Sequence, residues 1–239
     1  MLNPMLRCAA RVALVGAVAA TMSSLAWSQE SSQQRAEIPG VVTQSQAALT
    51  GLVGDADMTW LKENIDKAKG ILIAPELRSE VKIGKPGGRA VLVVKGADGK
   101  WHGPAFFNVE TLAGGYKTGV KVAGMVALVM SDKAVSALTA GMAKIGGDLS
   151  VAAGPVGAGA NAPAAADFVV FTGAKKDGYG VLNADGSLVK ANNDWNAAFY
   201  DSQTAQAGAI LSGKTTSRGA VALLAAVTKA TGGPPPKKK

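Results

Sequence analysis

Residues 208–215 read GAILSGKT, the G-x-x-x-x-G-K-T spacing of a phosphate-binding loop. That chemistry needs a buried strand before the loop and a helix after it. Backbone N–H groups and the helix N-terminus then converge on the phosphates. Here the preceding residues are DSQTAQA, polar and helix-like, with no Val/Ile-rich strand ahead of Gly208. Too little chain follows Thr215 for further strands and an acidic magnesium ligand. The expected reading is therefore a helix end at Gly213 followed by a basic turn, with no nucleotide. GPVGAG (154–159) is an equally weak dinucleotide signal, since no helix opens behind it and Pro163 follows soon after.

Other catalytic groupings are thin. His102 is the one histidine, in KWHGPAFF between a turn and a strand. A lone histidine without cysteine partners makes a poor metal site, and no base–nucleophile pair accompanies it. A structural or surface role is expected. The acids are dispersed, with no paired-carboxylate spacing. No catalytic residue, metal site or cofactor is assigned.

The basic residues say more. The net charge is +8. Lys67, Lys69, Arg78, Lys82, Lys85 and Arg89 lie close in sequence, with Lys95, Lys100, Lys117 and Lys121 beyond them. Gathered on one face, such residues attract anionic headgroups at about 1 kcal/mol each. Spread out, they are an ordinary solvated surface. Nucleic acid is the other anionic partner, and the scarcity of aromatics (5%) and absence of a recognised motif argue against it.

These residues must be positioned by a fold that the hydrophobic pattern outlines. Met58, Leu61, Ile65 and Ala68 recur at helical spacing, with Asp55 or Asp57 as cap, Gly70 as stop, and Trp60 and Lys67 flanking the stripe. The stripe is either core or an apolar face inserted at a membrane interface. Val41 to Leu52 also reads as helical. Short β-rich runs follow at 71–75, 89–94, 105–112, 116–122 and 125–130, with turns at 85–88, 96–100 and 113–115. Gly-Gly pairs at 87–88, 114–115 and 146–147 each open an expected strand and bend it. Residues 131–141 read as a helix capped by Ser131 or Asp132 and ended by Gly141. A strand then runs into the 154–159 loop, strands fall within 167–173 and 178–189, and 192–213 is helical in one or two pieces. The fold class is α+β: a curved, largely antiparallel, barrel-like sheet with helices at its N-terminal edge, middle and C-terminal end.

The N-terminus reads as a secretory signal. Arg7 and Arg11 precede an apolar run from Val12 to Met22, and Ala26-Trp27-Ser28 offers a cleavage site after Ser28. An uncleaved anchor is the alternative. Cys8 precedes the apolar run, unlike a lipoprotein cysteine, and cleavage removes this one cysteine. The expected organisation is a signal at 1–28, a polar and partly helical segment at 29–54, a main domain at 55–213, and a C-terminal segment at 214–239 ending in a flexible Pro/Lys tail. The expected location is the periplasm or an outer-membrane-associated site.

The stretch from about 64 to 213 resembles the SYLF domain family. NIDKAKGILIAPEL, GGRAVLVV, WHGPAFFNVETLAGGYKTGVKV, VALVMSDKAVSAL, KIGGDLSVAAGPVG and DGYGVLNADGSLVKANNDWNAAFY carry the likeness, in family order. The resemblance implies binding of acidic phospholipid. Eukaryotic members bind phosphoinositides, some fungal members bind actin, and bacterial members look like exported envelope proteins. It supplies no catalytic residue. It also makes the segment after NNDWNAAFY a terminal helix, so the phosphate-loop letters are coincidence. The expectation is a non-enzymatic envelope protein that recognises anionic lipid. Trp60, Lys67, Arg78, Lys82, Lys85, Arg89, Lys117 and Lys121 are the candidate lipid-binding residues. The alternative is a structural or protein-interaction module of the envelope.

Overall fold

The computed structural model describes residues 35–78, 87–110, 121–157, 165–173 and 186–233. The chain divides into two compact units, Met1–Ile38 and Pro39–Lys239; the sheet and the helices on it belong to the second. In order, the elements are α1 (35–54), α2 (Thr59–Asn64) with a 3-10 turn at Ile65–Lys67, β1 (Gly70–Arg78), β2 (Gly87–Lys95), β3 (Trp101–Glu110) and β4 (Lys121–Val129). Then come α3 (Asp132–Thr139), β5 (Met142–Lys144), β6 (Val151–Ala153), β7 (Phe168–Gly173), β8 (Leu188–Ala191), α4 (Asn193–Tyr200), α5 (Ala207–Leu211), a 3-10 turn at Arg218–Ala220, and α6 (Val221–Ala230).

The strands form one curled, eight-stranded sheet ordered β5-β8-β3-β2-β1-β4-β7-β6, antiparallel except for β6 against β7. This is the expected α+β architecture. The strand interiors are apolar at nearly every position because both faces are covered. On one face Leu72, Leu92, Ala105, Phe107 and Ala127 meet Ala134 and Leu138 of α3 and Ile210 and Leu211 of α5. On the other, Trp60 of α2 stacks on Phe171, ring centroids 5.9 Å apart. A Cβ on Gly124 would lie 3.3 Å from Ala48 of α1. Met58, Leu61, Ile65 and Ala68 are all buried, so the α2 stripe is core.

Irregularities fall where side-chain chemistry requires them. β1 continues through Pro75 to Arg78 instead of stopping at 75, because the β1–β2 register shifts between Ile73 and Glu76. A bulge is where a strand tolerates a residue with no N–H. β4 joins Lys121 and Val122 to the 125–129 run in one strand, where two were expected. It bends at Gly124, whose φ of +73° accompanies a register shift against β7. The remainder of the expected 116–122 strand and the 113–115 turn lie outside the described residues.

Gly87 and Gly88 open β2 as expected, but Gly146 and Gly147 form a turn, and the strand starts only at Val151. Ser131 caps α3 by accepting a bond from the Ala134 N–H, and Gly141 follows its end at φ +95°. For α2 the expected Asp cap is absent: Met58 holds the cap position, while Asp55 Oδ1 accepts from the Asp57 N–H at 3.0 Å. Residues 192–213 are helical in two pieces, α4 and α5. α6 was not expected from the pattern; it buries Leu223 and Val227 and packs along β3.

Candidate functional site

The antiparallel register gathers several candidate residues at one end of the sheet. Glu110 is opposite Gly87, Gly87 is opposite Arg78, and Arg78 is opposite Lys121. β7 ends there, with Gly173 opposite Ala123, and β8 starts there, with Leu188 opposite Glu110. The described ends of β1 and β2, of β3 and β4, and of β7 and β8 therefore lie at this end, and the residues that join them, 79–86, 111–120 and 174–185, are outside the described residues, as is most of the strand expected within 178–189. Lys82 and Lys85 lie in the first connection and Lys117 in the second; all three are outside the described residues. Register brings Arg78 and Lys121 together as Cα partners although 42 positions separate them in sequence.

The same register separates residues that are close in sequence. Lys67 precedes β1, so it sits beyond the opposite end of that strand, whose run from Gly70 to Arg78 is about 27 Å at the usual strand rise. It is exposed and donates to Asn64 Oδ1 at 2.8 Å. Trp60 is half-buried against Phe171.

Arg89 is tied into the fold. Its guanidinium lies 4.9 Å from the centroid of the Trp195 ring, and its Nη1 donates to Asn108 Oδ1. The same oxygen accepts from Asn192 Nδ2 at 3.1 Å. Nearby, Asn196 Oδ1 accepts from the Phe106 N–H at 2.7 Å, giving a backbone partner beyond the last β8 pairing. The Asn-rich NNDWN stretch was the one sequence signal for this network.

At the opposite end, polar groups satisfy one another. Lys69 pairs with Asp132. Asp98 accepts from the Lys100 N–H at 3.1 Å and pairs with His102 Nε2 at 3.0 Å. These contacts, the Lys100 N–H first and His102 next, hold the Asp98 carboxyl below its ordinary value. Asp167 takes Ser131 Oγ on one oxygen, and the Ser150 N–H and Oγ at 2.8 and 2.9 Å on the other. These donors likewise depress its carboxyl, with Ser131 the largest cause. Burial pushes the Tyr200 phenol up; its hydroxyl donates to the Pro104 carbonyl at 3.1 Å.

GAILSGKT is not built as a phosphate loop. Gly208 lies inside α5, and Gly213 ends that helix at φ +77°, packed so closely on His102 that a Cβ would come within 2.6 Å of the ring. His102 is thus held between Asp98 and the end of α5. Among the described residues no cluster of three or more His, Cys, Asp or Glu side chains could hold a metal. Among them, too, no helix is long and apolar enough to cross a membrane.

An α+β module on a curled, mostly antiparallel sheet is the class of protein these features define. The chain belongs to the Ysc84 family, the SYLF domain of the sequence reading: the family model described as "Las17-binding protein actin regulator" matches residues 110–230. The chain is similar to the human SH3 domain-containing YSC84-like protein 1, 32% identical over 140 residues, 57% of this chain and 41% of that protein. It is similar to Protein YSC84 of Saccharomyces cerevisiae, 30% identical over 142 residues, 57% of this chain and 30% of that protein. LAS seventeen-binding protein 3 of the same species is 29% identical over 166 residues, 66% of this chain and 36% of that protein. The aligned part spans less than half the length of each of these relatives.

Proposed function

We propose that this protein is a non-enzymatic phospholipid-binding module of the bacterial cell envelope that docks on anionic headgroups through the Arg78–Lys121 end of its sheet. The observation behind this reading is the register that makes Arg78 and Lys121 neighbours and starts from the same end the connections bearing Lys82, Lys85 and Lys117. The five basic residues come from two stretches of sequence, 78–85 and 117–121, that meet at this end of the sheet through the pairing of Arg78 with Lys121. At about 1 kcal/mol per basic side chain, three of them set the difference between weak and stable recruitment. Lys67 sits beyond the other end of β1 and Trp60 packs on Phe171, while Arg89, two residues into β2 from Gly87, is engaged by Asn108 and Trp195. The signal-like residues 1–28 support export, with the mature chain in the periplasm or at the outer membrane after cleavage near Ser28.

The test is co-sedimentation of the Lys82→Glu/Lys85→Glu/Lys117→Glu variant with phosphatidylglycerol vesicles. Loss of three favourable contacts should weaken binding about 100-fold or more, with the melting temperature retained. Unchanged vesicle binding would sink this assignment.

A second reading, a protein-interaction module without specific lipid affinity, draws on the relatives named for binding Las17. It predicts a cross-linked protein partner and no vesicle binding.

A further inference from the structure

The C-terminal part of the chain has a charge pattern unlike the rest. Residues 202–239 contain six basic residues, Lys214, Arg218, Lys229 and the three lysines 237–239, and no acid. Lys214, Arg218 and Lys229 are all exposed, and among the described residues none of them forms an ion pair. Asp98, beside the His102 ring on which Gly213 packs, is engaged by Lys100 and His102.

α6 presents these charges in a particular way. Ala220, Leu223 and Val227 are buried at spacings of three and four and fix the inward face. The other side is a stripe of Arg218, Ala222, Ala225 and Lys229, again at spacings of three and four. Val221 beside it is 57% exposed, one of two large apolar side chains so exposed among the described residues. A helix with small apolar residues outward, a basic residue at either end and no acid fits a surface that is both anionic and apolar just beneath. Nucleic acid offers anionic charge without the apolar layer, and this stripe has no aromatic side chain on which a base could stack.

We propose that the outer face of α6, with Lys214 before it, is a second contact for anionic phospholipid, separate from the Arg78–Lys121 end. Trp101 Nε1 donates to Thr231 Oγ1 at 3.2 Å, which fixes the last turn of α6 beside the start of β3. The other contact lies at the far end of that strand, about 30 Å away at the usual rise. Arg218 and Lys229 flank the helix and meet headgroups, while Val221 and the alanines allow close approach of its backbone. This inference rests on the lipid-binding reading but on different residues.

The experiment compares three forms of the full chain by flotation with vesicles of phosphatidylglycerol in phosphatidylcholine and of phosphatidylcholine alone: wild type, Lys82→Glu/Lys85→Glu/Lys117→Glu, and Lys214→Glu/Arg218→Glu/Lys229→Glu. The same C-terminal positions changed to Gln give a milder variant whose fold is checked by melting. The inference expects the C-terminal Glu variant to bind mixed vesicles about 100-fold more weakly and the Gln variant to lose a smaller part of the affinity, both with native melting temperature. Wild-type flotation that both C-terminal variants retain in full overturns the inference and leaves the first contact standing. Absence of wild-type flotation overturns both. Loss of binding in the Glu variant alone, with its melting transition lost and the Gln variant unaffected, also overturns it.

Discussion

Replacing Arg89 with Met should lower folding stability by about 2 kcal/mol while removing one positive charge. The figure follows from two contacts. A hydrogen bond from a charged donor, here Nη1 to Asn108 Oδ1, contributes about 1.5–3 kcal/mol net. Cation–π attraction to Trp195, 4.9 Å from the guanidinium carbon, adds about 0.5–1 kcal/mol at a half-exposed site. Met replaces the aliphatic stem, so packing loss is small, and Asn108 Oδ1 keeps its second donor, Asn192 Nδ2; both considerations favour the low end of the sum. For a chain of this size about 2 kcal/mol corresponds to a melting shift of roughly 4–8 °C. Urea unfolding of wild type, Arg89→Met and Arg89→Lys measures it. Lys keeps the charge but not the planar fork, so it should recover less than half the loss. Vesicle binding of Arg89→Lys should equal that of wild type. If Arg89→Met unfolds at the wild-type midpoint yet loses vesicle binding, the residue reads headgroups and the tether described here is wrong.

Three further outcomes follow from particular contacts. The folded Asp167 carboxyl is held below its unfolded value of about 3.9, so its stabilisation is complete above that pH and is lost as pH falls through the lower folded value. Asp167→Asn should therefore destabilise at neutral pH and flatten the acid limb of a stability–pH curve; an unchanged acid limb would refute the pairing with Ser131 and Ser150. Gly154→Ala should cost about 1–3 kcal/mol, because the new Cβ would stand 2.2 Å from the buried Phe171 ring; a melting temperature at the wild-type value would contradict that packing. Ser45 Oγ on α1 is buried with no hydrogen-bond partner among the described residues, so Ser45→Ala should be neutral or stabilising by up to about 1 kcal/mol in urea unfolding, and a loss of stability would show that the hydroxyl has a partner.

Much of the fold was legible because local signals agreed with tertiary demand. Ser131 at the head of SDKAVSAL announced α3, and the apolar runs of β2 and β3 announced strands buried on both faces. Where the two diverged, the sequence misled. ILIAP seemed to end at Pro75, yet a bulge lets the strand pass. Asp55 looked like a helix cap, yet it serves the Asp57 N–H. The short Ala/Val run of α6, followed by a Gly/Pro tail, gave too weak a period to stand out until Leu223 and Val227 were seen in the core. The candidate site was harder to read. Lys67 and Arg78 are near in sequence, yet Lys67 lies before the start of β1 and Arg78 ends it, whereas Arg78 and Lys121 are far apart and become neighbours. Only register decides this, and register is a long-range property. Arg89 shows the same limit: a basic residue reads alike in sequence whether it faces solvent or lies over Trp195.

The central claim, recruitment by anionic headgroups, is tested most directly by titrating the protein against vesicles of increasing phosphatidylglycerol content at low and high salt. The account predicts affinity that rises steeply with anionic fraction, falls as salt screens the basic side chains, and vanishes on neutral lipid. Equal binding to neutral vesicles, indifferent to salt, would contradict it, as would no binding to any of them.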